Sequence, residues 1–218
     1  MSPIGWALVF TLISALALAT TLHGEKHDRW TQVRLSKPLA SLGFLGVALT
    51  GQVWGHAFHL ALFTALVFSF FGDVFLMWRA RGLFLSGLLA FLFGHVAFAA
   101  AFILGGVDPL WFAGGLVVML VLSLIIGRWV LQYVEDTMRG PVLAYMSIIA
   151  LMVALAFGHF GVNGQLAVPV GALAFYGSDI SVARDRFTDA GFGNRLWGLP
   201  LYYAAQFTFA FTVALSVP

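Results

Sequence analysis

The sequence predicts an all-α membrane protein, a polytopic bundle of eight transmembrane helices, and three observations lead to this prediction. The 218 residues are 61% hydrophobic and only 9% charged, whereas a soluble domain has about 25% charged residues. Eight apolar stretches approach or reach the roughly 17–25 residues that a transmembrane helix needs. All 11 Lys and Arg residues fall in connections that eight crossings bring to one side. The predicted spans are 4–22, 38–54, 57–78, 83–104, 110–126, 141–158, 165–180 and 199–217 in a single domain, 1–218.

The eight stretches differ in character. The first is followed rather than preceded by positive charge, so we expect a retained helix instead of a signal peptide. The second and seventh are short and rich in Gly and Ala, which is typical of packed interior helices. Long apolar runs predict the other crossings. Pro38 and Pro141 are expected in the first turn of the second and sixth helices, where a missing N–H costs little.

The positive charges set the orientation. Both ends of the chain and three of the connections carry no Lys or Arg. The positive-inside rule then places both termini outside and the four basic connections in the cytoplasm. Because these charges are scattered over short loops that face an anionic leaflet, they give no reason to predict nucleic-acid binding. The basic residues are Lys26, Arg29, Arg34 and Lys37, then Arg79 and Arg81, then Arg128 and Arg139, and finally Arg184, Arg186 and Arg195.

Two similar segments suggest that the bundle is a 4+4 repeat. Residues 71–74 (FGDV) and 176–180 (YGSDI) lie at the inner ends of the third and seventh spans, and Arg follows each within six residues. Because four helices return the chain to the same side, such a repeat would be parallel. The alternative is chance recurrence in a chain rich in Phe and Gly.

Two of the nine acids are embedded in predicted spans. At roughly 1.5 Å per residue, Asp73 and Asp179 lie about 8–9 Å inside the inner boundary. Acids at such depth usually face a bundle interior or a wet cavity, and two that share a cavity would favour one protonated acid beside one carboxylate, which suits general acid–base catalysis. The structural alternative pairs Asp73 with Arg79 or Ser69, and Asp179 with Arg184. Solvated loop charge is expected for the other seven, which are Glu25, Asp28, Asp108, Glu135, Asp136, Asp185 and Asp189.

Further polar residues fall near the same depth. Lys37 opens the second helix, and Tyr202, Tyr203 and Gln206 lie in the first turns of the eighth. Each alone is typical of an interfacial anchor or a helix–helix hydrogen bond, but together with the two acids they favour a shared site. His95 lies deeper, where it is either a packed residue or a proton relay.

Other kinds of site have weak support. The pairs His56/His59 and His23/His27 lack an obvious third ligand, so we predict no metal and no cofactor. Cysteine is absent, so there is no thiol nucleophile. Ser69 and Ser178 do not lie in the Gly-x-Ser-x-Gly motif that carries the serine nucleophile of α/β-hydrolases.

These polar segments resemble the YhhN/TMEM86 membrane proteins. The similar segments are 37–38 (KP), 71–77 (FGDVFLM), 94–95 (GH), 178–184 (SDISVAR) and 202–206 (YYAAQ). The resemblance implies eight transmembrane helices and lysoplasmalogenase activity, which is hydrolysis of a vinyl ether bond to a fatty aldehyde and a glycerophospho-ethanolamine or -choline. It places the family's polar positions on Lys37, Asp73, His95, Ser178, Asp179, Tyr203 and Gln206.

The resemblance leads to a mechanistic hypothesis. One of Asp73 and Asp179 would protonate the vinyl ether and the other would activate water, in an order that the sequence leaves open. Lys37 and Arg184 would bind the lipid phosphate. The expected partner is a lysophospholipid from the membrane, with no protein partner, and the expected location is a bacterial inner membrane with the active-site end cytoplasmic.

Two other functions compete with the hydrolase. A parallel repeat with a carboxylate pair would also suit a proton-coupled transporter or a lipid-binding membrane protein. Transport sites usually lie near the midplane, however, and both acids are predicted nearer one face. The third possibility is a structural or chaperone-like bundle in which the acids form internal salt bridges.

Overall fold

A computed structural model describes residues 2–78 and 80–215, and within these residues every regular element is helical. One π-helical turn, Arg184–Thr188, continues the seventh helix. The eight α-helices are α1 (Pro3–Lys26), α2 (Trp30–Leu49), α3 (Ala57–Leu76), α4 (Arg81–Leu104), α5 (Pro109–Val130), α6 (Asp136–Asn163), α7 (Ala167–Ala183) and α8 (Phe192–Ala214).

The helices extend beyond the predicted spans at several ends. Helix α2 begins at Trp30 and α6 at Asp136, so Pro38 and Pro141 lie inside helices and the prediction that they mark helix starts is wrong. Apolar composition reports the part of a helix that contacts lipid, whereas helical hydrogen bonding continues through polar turns. Helix α2 ends at Leu49 and a turn follows, whereas the second predicted span runs to residue 54.

In the part of the chain that the structure describes, five helices are long and apolar enough to cross a membrane, namely α1, α3, α4, α5 and α6. The three others carry much of the polar character of the bundle: Lys37 lies on α2, Asp179 on α7 and Gln206 on α8. A helix surrounded by protein instead of lipid can hold such groups, because neighbouring helices supply their partners.

Consecutive helices pack as pairs, α1 with α2, α3 with α4, α5 with α6 and α7 with α8. Contacts between α4 and α6 and between α2 and α8 join these pairs. Aromatic side chains fill the centre, where Phe44, Phe98 and Phe175 are fully buried. The outer faces of α1 and α5 expose large apolar residues such as Leu16 and Leu124, as expected of surfaces that contact lipid.

Small residues bring α1 and α2 close together. Ser14 donates a hydrogen bond of 2.6 Å to the Ala40 carbonyl, and the hydroxyls of Thr21 and Ser36 lie 2.8 Å apart. Gly43 faces Ser14 so closely that an added Cβ would collide with it. Small and hydroxyl-bearing residues are common at contacts between membrane helices because they permit this approach.

Candidate active site

Asp73 lies near the C-terminal end of α3, where polar side chains surround its buried carboxyl. Its Oδ2 accepts hydrogen bonds of 2.7 Å from Ser41 Oγ and 2.7 Å from Tyr202 OH. Its Oδ1 lies 3.4 Å from Lys37 Nζ. Tyr203 OH donates to the Lys37 carbonyl at 3.2 Å and lies 3.0 Å from Ser41 Oγ. Helices α2 and α8 therefore supply a cation and two hydroxyl donors to this carboxyl, which stabilise its ionised form.

Asp179 lies near the C-terminal end of α7 and has fewer partners. Tyr145 of α6 donates a hydrogen bond of 2.6 Å to its Oδ2, and His95 Nε2 of α4 lies 3.7 Å from the same oxygen. No Lys or Arg nitrogen of the described residues lies within 4.0 Å of it. Its side chain is 16% exposed, compared with 3% for Asp73, so Asp179 is the more accessible of the two acids.

Both aspartates line one cavity of about 330 Å³ at the end of the bundle where the basic connections lie. We call it the polar cavity. Its wall includes charged residues of both signs, together with Trp30 and Trp78. Its polar and ionisable lining residues are Glu25, Lys37, Asp73, Ser178, Asp179, Ser181, Asp185, Arg186, Arg195 and Tyr202.

A second, smaller space adjoins the polar cavity. This apolar pocket of about 80 Å³ lies among α4, α5, α6 and α7 and is lined by residues such as Leu88, Ile126 and Met146. Asp179 lines both spaces, whereas Asp73 lines the polar cavity. Of the residues that line both spaces, which are Leu76, Phe84, Phe91, Asp179 and Val182, Asp179 is the ionisable one, so it lies at their junction.

The structure brings most of the predicted site residues to this place. Five of them line the polar cavity, namely Lys37, Asp73, Ser178, Asp179 and Tyr202. Tyr203 contacts Ser41 and Lys37, which are partners of Asp73, and His95 lies beside Asp179. The hydroxyl of Ser178 donates to the Phe175 carbonyl at 2.7 Å.

Two further predicted residues, Gln206 and Arg184, also lie outside the cavity wall. Gln206 is fully buried, and its amide atoms have no hydrogen-bond partner among the described residues. Arg184 opens the π-helical turn, is half-buried and is not part of the cavity wall. The phosphate contact expected of Arg184 therefore has no support from its position.

The polar partners of the two acids differ from the pairings that the sequence suggested as a structural alternative to a shared site. Asp179 is paired with Tyr145 and not with Arg184. The carboxyl of Asp73 accepts from Ser41 and Tyr202, and not from Ser69. The pairing with Arg79 lies outside the described residues.

Two acids predicted to be solvated loop charges are instead part of the site. Glu25 and Asp185 both form ion pairs with Arg195, and the Asp185 Oδ2–Arg195 Nη2 distance is 3.1 Å. The Glu25 side chain is only 9% exposed. The prediction was wrong because α1 extends past the predicted span and brings Glu25 against the start of α8.

Sequence reasoning also missed Ser41, Tyr145 and Arg186. Ser41 lies one helical turn after Lys37, and Arg186 lies seven residues, or two turns, after Asp179, so helical spacing could have placed each on the face of a known site residue. Arg184, five residues after Asp179, falls on a different face. Tyr145 had no comparable signal in the sequence. Among the described residues, no three His, Asp or Glu side chains are grouped so that they could hold a metal ion.

The fold and the site define an all-α integral membrane protein with two aspartates on one polar cavity. The YhhN family model matches residues 32–213, and the chain belongs to the YhhN family. It is 33% identical over 178 residues to a protein of Bos taurus named lysoplasmalogenase TMEM86A, an alignment that covers 79% of this chain and 70% of the relative. The Homo sapiens protein of the same name is 31% identical over 172 residues, covering 76% and 70%. No solved structure matches the chain.

Proposed function

We propose that this protein is a lysoplasmalogenase, an ether hydrolase that cleaves the vinyl ether bond of a lysoplasmalogen. The products are a fatty aldehyde and a glycerophospho-ethanolamine or -choline. The name of its relatives supports this activity. The observation that carries the proposal is the position of Asp179 at the junction of the polar cavity and the apolar pocket, because the vinyl ether is the junction between the apolar and polar parts of this lipid.

The two spaces divide the substrate at that bond. The polar cavity takes the glycerol and headgroup, and the apolar pocket takes the first carbons of the alkenyl chain. Because the pocket holds only about 80 Å³, the rest of the chain extends between helices towards the membrane. A lysolipid has a single chain, and one apolar pocket opens beside Asp179.

The neighbours of the two acids suggest how they share the chemistry. Asp73 has an ion pair with Lys37 and two hydroxyl donors, an environment that favours the carboxylate. Among the described residues Asp179 has no such cation, and apolar residues such as Ile180 and Leu76 line the spaces around it, which favours the neutral acid. We therefore assign Asp179 as the general acid and Asp73 as the general base.

The proposed reaction balances its protons between the two acids. Asp179 gives its proton to the β-carbon of the vinyl ether, which leaves an oxocarbenium ion. Water adds to this cation and loses a proton to Asp73, which forms a hemiacetal. The Asp179 carboxylate then removes the hemiacetal hydroxyl proton while Asp73 protonates the departing glycerol oxygen. The aldehyde and the alcohol leave, and both acids return to their starting states without a cofactor.

A comparison of three lipids tests the activity. Purified protein is incubated with matched 1-alkenyl, 1-acyl and 1-alkyl lysophospholipids, and aldehyde and fatty acid are measured. We expect aldehyde from the alkenyl lipid and no cleavage of the other two. Fatty acid from the acyl lipid would indicate a lipase reaction, and no turnover of any lipid would favour a transporter or lipid-binding protein.

Heavy water tests the protonation step. In D₂O the aldehyde should carry one deuterium on the carbon next to the carbonyl, because that carbon receives the proton from Asp179. Unlabelled aldehyde incubated with the protein in D₂O controls for exchange after release. Aldehyde formed without this deuterium would contradict protonation at carbon.

We further propose that all eight helices cross a bacterial inner membrane, with both termini outside, the polar cavity at the cytoplasmic end and the halves related as a 4+4 repeat. The helix contacts support the repeat, since α2 packs against α3 and α8 while α6 packs against α7 and α4. The acids follow the same correspondence: α2 and α8 supply the partners of Asp73, and α6 and α4 supply those of Asp179.

The absence of cysteine makes this topology testable by single cysteines. Gln132→Cys, Gln165→Cys and Asp189→Cys place one exposed thiol between α5 and α6, α6 and α7, and α7 and α8. In intact cells, a membrane-impermeant maleimide should label only Gln165→Cys, and permeabilised cells should show all three. Labelling of Asp189→Cys in intact cells would remove the crossing by α7.

A further inference from the structure

The cations of the polar cavity differ in whether a carboxylate accompanies them. Lys37 is paired with Asp73, and Arg195 is paired with both Glu25 and Asp185. Arg186 also lines the cavity, and among the described residues no carboxylate lies within 4.0 Å of its guanidinium. Its positive charge is therefore available to an anion in the cavity.

The position of Arg186 is fixed by an aromatic ring. Its guanidinium carbon lies 4.2 Å from the centroid of Phe84, which is a cation–π contact. Among the described residues the guanidinium of Arg186 has no hydrogen-bond acceptor, so its N–H groups can donate to a ligand. Phe84 itself lines both the polar cavity and the apolar pocket, so Arg186 lies on the polar side of the boundary between them.

The spacing between Arg186 and Asp179 suits one lysolipid. Arg186 lies seven residues after Asp179, where α7 continues into the π-helical turn, so the two positions are separated by no more than roughly 10 Å along the axis, and both residues line the polar cavity. In the substrate, three glycerol carbons separate the ether oxygen from the phosphate oxygen. The long Arg side chain covers the remaining distance when the vinyl ether lies at Asp179.

We propose that Arg186 is the phosphate-binding residue of the polar cavity and that it gives the enzyme its preference for phosphate-bearing lipids over uncharged alkenylglycerols. This inference rests on the proposed function. A guanidinium donates two parallel hydrogen bonds to a phosphate, which a point charge such as Lys cannot reproduce. Lys37 and Arg195, already paired with acids, would be positioning residues for the catalytic carboxyl and the cavity mouth.

The test compares two substrates that differ only in the phosphate headgroup. Arg186→Gln and Arg186→Lys are assayed with a lysoplasmalogen and with the matching 1-alkenylglycerol. Arg139→Gln is the control, since Arg139 is an exposed arginine paired with Asp136 outside both spaces. For the lysoplasmalogen, Arg186→Gln should raise KM about 10- to 100-fold, the equivalent of one charge-assisted hydrogen-bonded pair, with little change in kcat. Arg186→Lys should lie between this variant and the wild type.

The alkenylglycerol should be cleaved equally well by all these proteins. An equal loss with both substrates would show that Arg186 supports the cavity structure rather than the phosphate, and an unchanged KM for lysoplasmalogen would also overturn the inference.

Binding of a 1-alkyl lysophospholipid in nanodiscs provides a measurement that does not need catalysis. Arg186→Gln should weaken this binding by a similar factor. If the wild type binds the alkyl lipid through Arg186 but cleaves no alkenyl lipid, the proposed reaction fails and the phosphate site stands. Glycerophosphocholine should compete with the lipid more strongly than inorganic phosphate at equal ionic strength. The reverse order would identify a site for free phosphate and overturn the headgroup assignment.

Discussion

Asp73 and Asp179 occupy similar positions on α3 and α7, yet their surroundings differ in charge and access. Asp73 is held by Lys37 and by two hydroxyl groups, and its side chain is 3% exposed. Asp179 has one hydroxyl donor, and its side chain is 16% exposed. Two residues of one type thus have different surroundings because different helices pack around them, and the proposed acid and base roles rest on this difference.

Asp73 and Asp179 also differ in how many helices their hydrogen bonds and ion pairs connect. Asp73 joins α2, α3 and α8 through its partners, so it contributes to the packing of the bundle. Asp179 contacts both the polar cavity and the apolar pocket, and its link to α6 is the single hydroxyl of Tyr145. Variants of the two acids should therefore resemble each other in activity and differ in stability.

The largest expected effect is on catalysis. Asp73→Asn and Asp179→Asn should each lower kcat for lysoplasmalogen by about 100- to 10,000-fold, because each removes one partner of a general acid–base pair. Aldehyde release measures the loss. Asp136→Asn is the matched control, since the Asp136 side chain is 87% exposed. Either site variant with full activity would refute the two-acid mechanism.

The meeting of the two acids at one end of the bundle was predictable from the sequence, because the basic connections mark one end of every predicted span. The residues that meet there were harder to predict. Ser41 and Tyr145 contact the acids because α2 and α6 are rotated so that these side chains face inward. That rotation is set by packing between helices, and the apolar stretches, which face lipid and protein alike, contain little periodic signal.

The ends of the helices show a related limit. Hydropathy predicted the apolar part of α1 but not its extension to Lys26, and Glu25 was consequently assigned to a solvated loop. The ion pairs of Arg195 with Glu25 and Asp185 join parts of the chain that are 170 and 10 residues apart. Charge pairs of this kind depend on the tertiary arrangement, which the sequence pattern alone does not reveal.

The second largest effect is expected on stability, where the two acids should differ. Asp73→Asn leaves the buried Lys37 ammonium without its partner, which should cost about 3–5 kcal/mol. Asp179→Asn changes one hydrogen bond and should cost about 1 kcal/mol. Unfolding of the purified variants in detergent measures both values.

A double variant separates stability from catalysis. Lys37→Met combined with Asp73→Asn removes both members of the ion pair, so it should recover most of the lost stability and none of the lost activity. If Asp73→Asn and Asp179→Asn destabilise the protein equally, the Lys37 pair does not distinguish the two sites. If the double variant remains as unstable as Asp73→Asn alone, the loss has another cause.

The smallest expected effects concern the tyrosines that donate to the acids. Tyr145→Phe removes the hydroxyl that stabilises the Asp179 carboxylate formed when the proton is transferred, so kcat should fall about 10-fold, as for one hydrogen bond of roughly 1.4 kcal/mol. Tyr202→Phe leaves Ser41 and Lys37 on Asp73, and its effect should be smaller, about 3-fold. Tyr133→Phe, which alters an exposed tyrosine, should leave kcat unchanged.

The order of the two tyrosine effects tests the assignment of the acids. When Asp179 is the general acid, its carboxylate appears during the first proton transfer, and the loss of its hydroxyl donor raises that barrier directly. In this assignment Asp73 starts as the carboxylate and has two other partners, which compensate for the missing donor. A larger loss for Tyr202→Phe than for Tyr145→Phe would exchange the roles, with Asp73 as the acid, while leaving the two-acid mechanism in place.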